Sequence, residues 1–172
     1  MRQIEVTPYS ERWSVMFEEE ANSIQKIFGD EILEIHHIGS TSVPGLHAKP
    51  TIDIMPVVKK ITLVDELTVE MISIGYEPKG ENGMQGRRYF RKGGDRRTHH
   101  VHFYEFGNPQ IERHIVFRDY LRTHPKDAQR YGVLKQALAK QFTYDAASYV
   151  KGKEALGLEI DRLAMKWYKA SK

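Results

Sequence analysis

The chain has 172 residues, 40% of them hydrophobic and 28% charged, the make-up of one globular domain able to bury an apolar core. With no cysteine, disulfides, thiolate nucleophiles and cysteine-held zinc are excluded together. A net charge of +3 does not imply nucleic acid by itself, and neither a signal-peptide stretch nor a run of about 18 apolar residues is present, so a soluble cytoplasmic protein without a membrane partner is expected.

In chain order, residues 11–28 place Trp13, Phe17, Ala21, Ile24, Ile27 and Phe28 at helical spacing, with Pro8 and Ser10 before the run and Gly29 after it. This predicts an amphipathic helix. Apolar runs predict strands over 33–38 and 51–58, and Pro44-Gly45 and Lys49-Pro50 argue against a helix between them. A helix is predicted over 64–74, closed by Gly75, then a strand from Tyr76 and a loop over 80–86. Residues 87–91 and 99–105 read as a hairpin around Gly93-Gly94. From Asn108-Pro109 the pattern is helical: about 110–123, a helix opened by Pro125, and 145–169 with Leu156, Ile160, Leu163, Ala164 and Trp167 on one face. The expectation is a single α+β domain over residues 1–172, a mixed sheet with helices packed on it and a helical C-terminal segment.

Several features of this chain carry chemistry. The strand at 33–38 ends at Gly39-Ser40, a small-residue turn whose backbone can hold an anion. Asp53 sits inside the apolar run Ile52–Val58, where a carboxylate is costly to bury unless a cation or hydrogen bonds compensate it. Cation site and anion cradle together point to phosphate chemistry. His100 and His102 lie at i and i+2 of a predicted strand and so share a face, with His99 and Val101 on the other. They could join Asp53 at a transition metal, act as a base, or hydrogen-bond a phosphate. His37 faces opposite to Ile38, toward either a pocket rim or the core edge. Arg118 and Arg122 lie one turn apart on one helix face. Arg87, Arg88, Arg91, Lys92, Arg96 and Arg97 form a basic run with Asp95 its one acid, suited to a polyanion or to plain solvation.

The segments GSTSVPGL and KPTIDI, HHVHF at 99–103, FRDYLRTHP at 117–125, and the pairs Tyr131/Lys135 and Tyr149/Lys153 together resemble the GrpB family, which is similar in fold to nucleotidyltransferases. The resemblance implies a nucleotidyltransferase-like mixed sheet. It also implies a site in which Gly39 and Ser40 cradle phosphates, Asp53 holds a divalent ion (Mg²⁺, Mn²⁺ or Zn²⁺), and His100 and His102 complete the metal and catalytic set. Lys49, Arg118 and Lys153 are the family-matched cations for phosphate. The activity so implied is transfer of a nucleotidyl group from a nucleoside triphosphate to an unknown acceptor. The alternative is a nucleotide- or phosphate-binding module with reduced chemistry, of the auxiliary kind appended to dephospho-CoA kinase. Met55 is the departure: the superfamily's second acid would stand there, and methionine gives Mg²⁺ no oxygen. Nucleic acid as partner rests on the basic run alone. Gly39, Ser40, Asp53, His100 and His102 are expected to line one cleft at the sheet edge.

Overall fold

The structure, a computed structural model, describes residues 2–171. Its first helix, α1 (Arg12–Phe28), begins where the Ser10 hydroxyl accepts the Arg12 amide, and it stops at Gly29, whose φ of +56° an L side chain rarely adopts. Strands β1 (Ile32–Ile38) and β2 (Ile52–Val58) follow, joined by the Gly39–Thr51 loop with a 3₁₀ turn at Ser40–Ser42.

The helix expected over 64–74 is broken into α2 (Thr62–Glu66) and α3 (Thr68–Ser73). The Thr68 hydroxyl donates to the carbonyls of Val64 and Asp65, competing with the helical ladder where the chain bends. The bend lets both Val64 and Met71 reach the core. Next come β3 (Tyr76–Pro78), β4 (Arg87–Lys92) and β5 (His99–Glu105). The last helices are α4 (Pro109–Thr123), α5 (Pro125–Gln141) and α6 (Ala146–Ala170). The Asn108 side chain caps α4 and that of Asp145 caps α6, each accepting a first-turn amide, and Pro109 and Pro125 stand where a missing N–H costs nothing.

The five strands form one mixed sheet in the order β1-β2-β5-β4-β3, with β2 and β5 parallel and the other neighbours antiparallel. Alternation along β2 and β5 divides the sheet's two faces. Ile52, Ile54, Val101 and Phe103 face α1, packing with Trp13, Ile24 and Phe28. Met55 and Tyr104 face the other way and pack with Ile38, Ile111 and Ile115 beneath α4. Helices α4, α5 and α6 share a second core, into which the β1–β2 loop inserts Val43 and Leu46. That insertion brings helices from the end of the chain against a turn near its start. Among the described residues no helix is long and apolar enough to cross a membrane.

Candidate functional site

The site forms where β1 ends and β2 and β5 begin. In register, Asp53 stands opposite Ile38 on one side and His100 on the other. Asp53, His100 and His102 share the sheet face that looks toward the C-terminal helices. His102 Nε2 lies 3.0 Å and His100 Nδ1 3.5 Å from Asp53 Oδ1. Burial alone would push this carboxyl up, but the two imidazole hydrogen bonds outweigh it and hold Asp53 well below the usual carboxylate range. An ionised carboxylate only accepts, so the ring nitrogens facing it are donors. The remaining nitrogens, His100 Nε2 and His102 Nδ1, are buried without a hydrogen-bond partner. Tyr89 lies edge-on to His100 and tilted against His102, at ring-centroid distances of 5.6 and 5.3 Å.

Gly39 is required here on two counts. Its φ is +72°, and a Cβ on it would stand 2.6 Å from Asp53 Oδ2. The turn that follows is held from within by the Ser42 hydroxyl on the Gly39 carbonyl. From α4, Arg118 donates to the His37 carbonyl and Arg122 to the Ser42 carbonyl. Arg118 also pairs with Asp119 at 2.9 Å. Among the expected phosphate cations, Arg118 is the one whose guanidinium donates to backbone and to a neighbouring carboxylate, which ties the turn to α4. His37 settles at the core edge, stacked on Phe17 and bonded to the Thr41 hydroxyl. Burial lowers its pKa to about 4, with the Arg122 and Arg118 charges adding and Asp53 opposing.

The strongest electrostatic feature is a group of three lysines. Lys135, 2% exposed on α5, donates from Nζ to Ser40 Oγ at 2.7 Å. Its ammonium also lies 4.7 Å from the Tyr131 ring centroid. Lys49 and Lys153 both stand over the Tyr149 ring, at 5.2 and 5.3 Å. Burial, then the charges of Lys153 and Lys49, push Lys135 well below the ordinary lysine value, with Asp53 acting against them. Lys49 falls to about 8 by burial and by the charges of Lys153 and Arg2. Lys153 is lowered by burial and partly restored by Asp53. Asp53 thus stands in the field of three ammonium groups that also repel one another.

This arrangement absorbs Gly39, Ser40, Asp53, His100, His102, Lys49 and Lys153, at one end of three adjacent strands. The expectation of a cleft at the sheet edge is corrected, because β2 and β5 are interior strands. Sequence reasoning missed Lys135 as a site residue. Its signal was present in the Tyr131/Lys135 pair, which entered only as a mark of the family resemblance and here delivers a buried lysine. It also missed His114 on α4, whose ring centroid is 6.1 Å from those of His102 and Tyr104. Burial, with the Arg113 and His102 charges, lowers His114 to about 3.

The residues do not fit a resident divalent metal. Fully buried Met55 packs in an apolar cluster where an oxygen ligand would be needed, and both imidazoles are engaged with one carboxylate oxygen. Among the described residues, no group of three or more His, Asp or Glu side chains is arranged to hold a metal ion. The basic run at 87–97 is not one continuous patch either. Arg88 pairs with Asp65, Arg91 with Glu77 and Lys92 with Glu20.

The mixed sheet, with a Gly-Ser turn facing an acid on the next strand, is a nucleotidyltransferase-like fold. Cid1 poly(U) polymerase matches it with a TM-score of 0.52 at 14% identity, over 80% of this chain and 44% of that one. At that identity the likeness concerns the fold alone. Residues 3–162 match the family described as GrpB protein, and the chain belongs to that family. A GrpB crystal structure from Enterococcus faecalis superposes with a TM-score of 0.92 at 47% identity, covering 95% of this chain and 99% of the other. UPF0157 protein YqkA of Bacillus subtilis is 49% identical over 98% of this chain, which spans 49% of YqkA's length. A dephospho-CoA kinase of Mycolicibacterium paratuberculosis is 23% identical over 95% of the chain, which spans 46% of that protein.

Proposed function

We propose that the chain binds a nucleotide, or another phosphorylated small molecule, with its phosphates among Lys49, Lys135, Lys153 and the Ser40 hydroxyl. The observation that carries this is the gathering of three buried or half-buried ammonium groups about a single carboxylate. Burial pushes each toward its neutral form, repulsion adds to this at Lys135 and Lys49, and Asp53 offsets only part of it. A phosphate would relieve that repulsion and draw protons back onto the lysines. Asp53 attracts the cations from the sheet side, and Arg118 and Arg122 hold the Ser40 turn through the His37 and Ser42 carbonyls. The nucleotide is the class suggested by Cid1, whose structures include one bound to MgATP.

Transfer of a nucleotidyl group is the finer reading, and the site supports it less. The ring nitrogens facing Asp53 are engaged, their counterparts are buried, and Met55 supplies no ligand. A binding module with reduced chemistry accounts for all three, and matches the auxiliary part suggested by the dephospho-CoA kinase relatives.

Thermal shift with pyrophosphate, ATP and UTP, each with and without Mg²⁺, Mn²⁺ or Zn²⁺, tests the proposal. A ligand that binds the folded state raises its midpoint by mass action. The expected result is a shift with pyrophosphate alone that is lost in Lys135→Met. No shift with any phosphate would overturn the reading, and pyrophosphate release from a nucleoside triphosphate would restore the transfer reading over the module.

A further inference from the structure

A second basic cavity lies beside this site and shares Lys49 with it. Its volume is about 670 Å³, and its lining includes Arg2, Lys49, Arg96, Arg97, Glu5 and Asp95. The cations arrive from three separate parts of the chain. The N-terminal segment brings Arg2, fixed by the Ile4 amide on the Thr143 carbonyl and by a bridge between Thr7 and Ala48. Ile4 is itself buried against Leu138 and Tyr149, so this segment is packed in place. The loop before β2 brings Lys49, and the β4–β5 turn brings Arg96 and Arg97.

That turn is shaped for the purpose. Gly93 has a φ of +104°, and a Cβ on it would meet the Arg96 carbonyl at 2.4 Å, so only glycine lets the chain double back there. Past the turn, Arg96 and Arg97 line the cavity, whereas Arg88, Arg91 and Lys92 before it are paired with acids. Among the described residues, none of Arg2, Lys49, Arg96 and Arg97 is within ion-pair distance of an acid, although Glu5 and Asp95 line the same cavity. Arg97 Nε is buried and lacks a hydrogen-bond partner. A guanidinium N–H left so is costly. Arg2 is held below the ordinary arginine value, first by burial and then by the Arg97 charge.

We propose that this cavity is a second anion subsite, built for a phosphate group by Arg2, Arg96 and Arg97 and joined to the first through Lys49. Guanidinium forks suit a phosphate's oxygens, and the volume admits a phosphate with part of the molecule that carries it. The proposal deepens the reading of the Asp53 site, since the shared Lys49 makes the two one continuous anion-binding region. The phosphate belongs either to a second phosphorylated reactant or to the far end of the same ligand. Lys49 feels both Lys153 and Arg2 and so stands between the two subsites.

Calorimetric titration of the full chain with inorganic pyrophosphate tests this at low ionic strength, where such contacts are strongest. Wild type is expected to take up about two equivalents, by the count of subsites argued above. The exposed Arg96→Ala change, combined with Arg2→Ala, should remove one equivalent while Lys135→Met removes the other. Thermal midpoints of the unliganded variants separate lost binding from lost folding. If the arginine variants titrate like wild type, the cavity is not a subsite, whatever Lys135→Met shows. If Lys135→Met alone titrates like wild type, the Asp53-site reading fails and the arginine cavity stands by itself. Adenosine 3′,5′-bisphosphate then distinguishes the sources. One equivalent that displaces both pyrophosphates indicates a single doubly phosphorylated ligand, and two equivalents indicate two reactants.

Discussion

The two faces of β2 and β5 are built from alternate residues of the same two strands and have opposite characters. Toward α1, Ile52, Ile54, Val101 and Phe103 meet Trp13, Ile24 and Phe28 with no charged group among them. Toward the C-terminal helices, Asp53 is engaged by His100 and His102 and acts on the charges of Lys135 and Lys153. The first face gains free energy by excluding water from apolar surface. The second gives some of it up: burial opposes the charge of all three ammonium groups, and repulsion adds to it at Lys135 and Lys49. If the proposed anion site is correct, the pleat puts stability on one side and binding on the other, and substitutions should separate the two cleanly.

The largest effect is expected on the apolar face. Phe103→Ala should cost about 3–5 kcal/mol in urea unfolding, because a fully buried ring leaves a cavity against Phe28 and Phe90. Pyrophosphate affinity of the protein that remains folded should be unchanged. An affinity loss as large as the stability loss would show that the faces are not independent.

Gly39→Ala joins both faces of the argument. The positive φ and the 2.6 Å approach to Asp53 Oδ2 should together cost roughly 1–3 kcal/mol, and the displaced carboxylate should weaken anion binding as well. Unfolding midpoints and a pyrophosphate titration on one preparation check both parts.

Lys135→Met should act with the opposite sign. Removing a buried ammonium relieves desolvation and the repulsion of Lys153 and Lys49, so stability should hold or rise by about 1 kcal/mol. Affinity for pyrophosphate should fall at least about tenfold, which is roughly 1.4 kcal/mol. A destabilised variant with intact affinity would assign Lys135 to support of the Ser40 turn.

The smallest expected effect is on pH dependence. Lys49 titrates near 8 in the folded chain against an ordinary value of 10.5, so between these the unfolded chain binds more protons. Stability of the unliganded protein should therefore rise with pH across that window. Anion affinity should fall across it, since the ligand needs the charged lysine. Urea midpoints and titrations from pH 7 to 10 compare the two slopes, and Lys49→Gln should reduce both, leaving the part that comes from Lys135 and Lys153.

The elements of the fold were legible because they are local. The spacing in α1, the apolar runs of β1 and β2, and the Asn-Pro and Pro125 starts of α4 and α5 lie within a few residues of one another and act through backbone geometry. The bend at Leu67 was not legible, since it turns on one threonine hydroxyl choosing the carbonyls behind it. For the site, the i and i+2 placement of His100 and His102 on one face followed from the strand itself, and their meeting with Asp53 required the parallel pairing of β2 with β5.

By itself the sequence determined which residue types would stand on each strand face, where the glycine turns fall, and the family to which the chain belongs. Only the tertiary structure decided how the charges are spent. It turned Arg118 and Arg122 to the backbone of the Ser40 turn, paired Arg88, Arg91 and Lys92 with acids, and sank Lys135 onto Ser40 across 95 residues of chain. The reason is physical: propensity and periodicity act over a turn or a pleat, whereas the energy of a charge depends on every group that folding brings within a few ångströms of it.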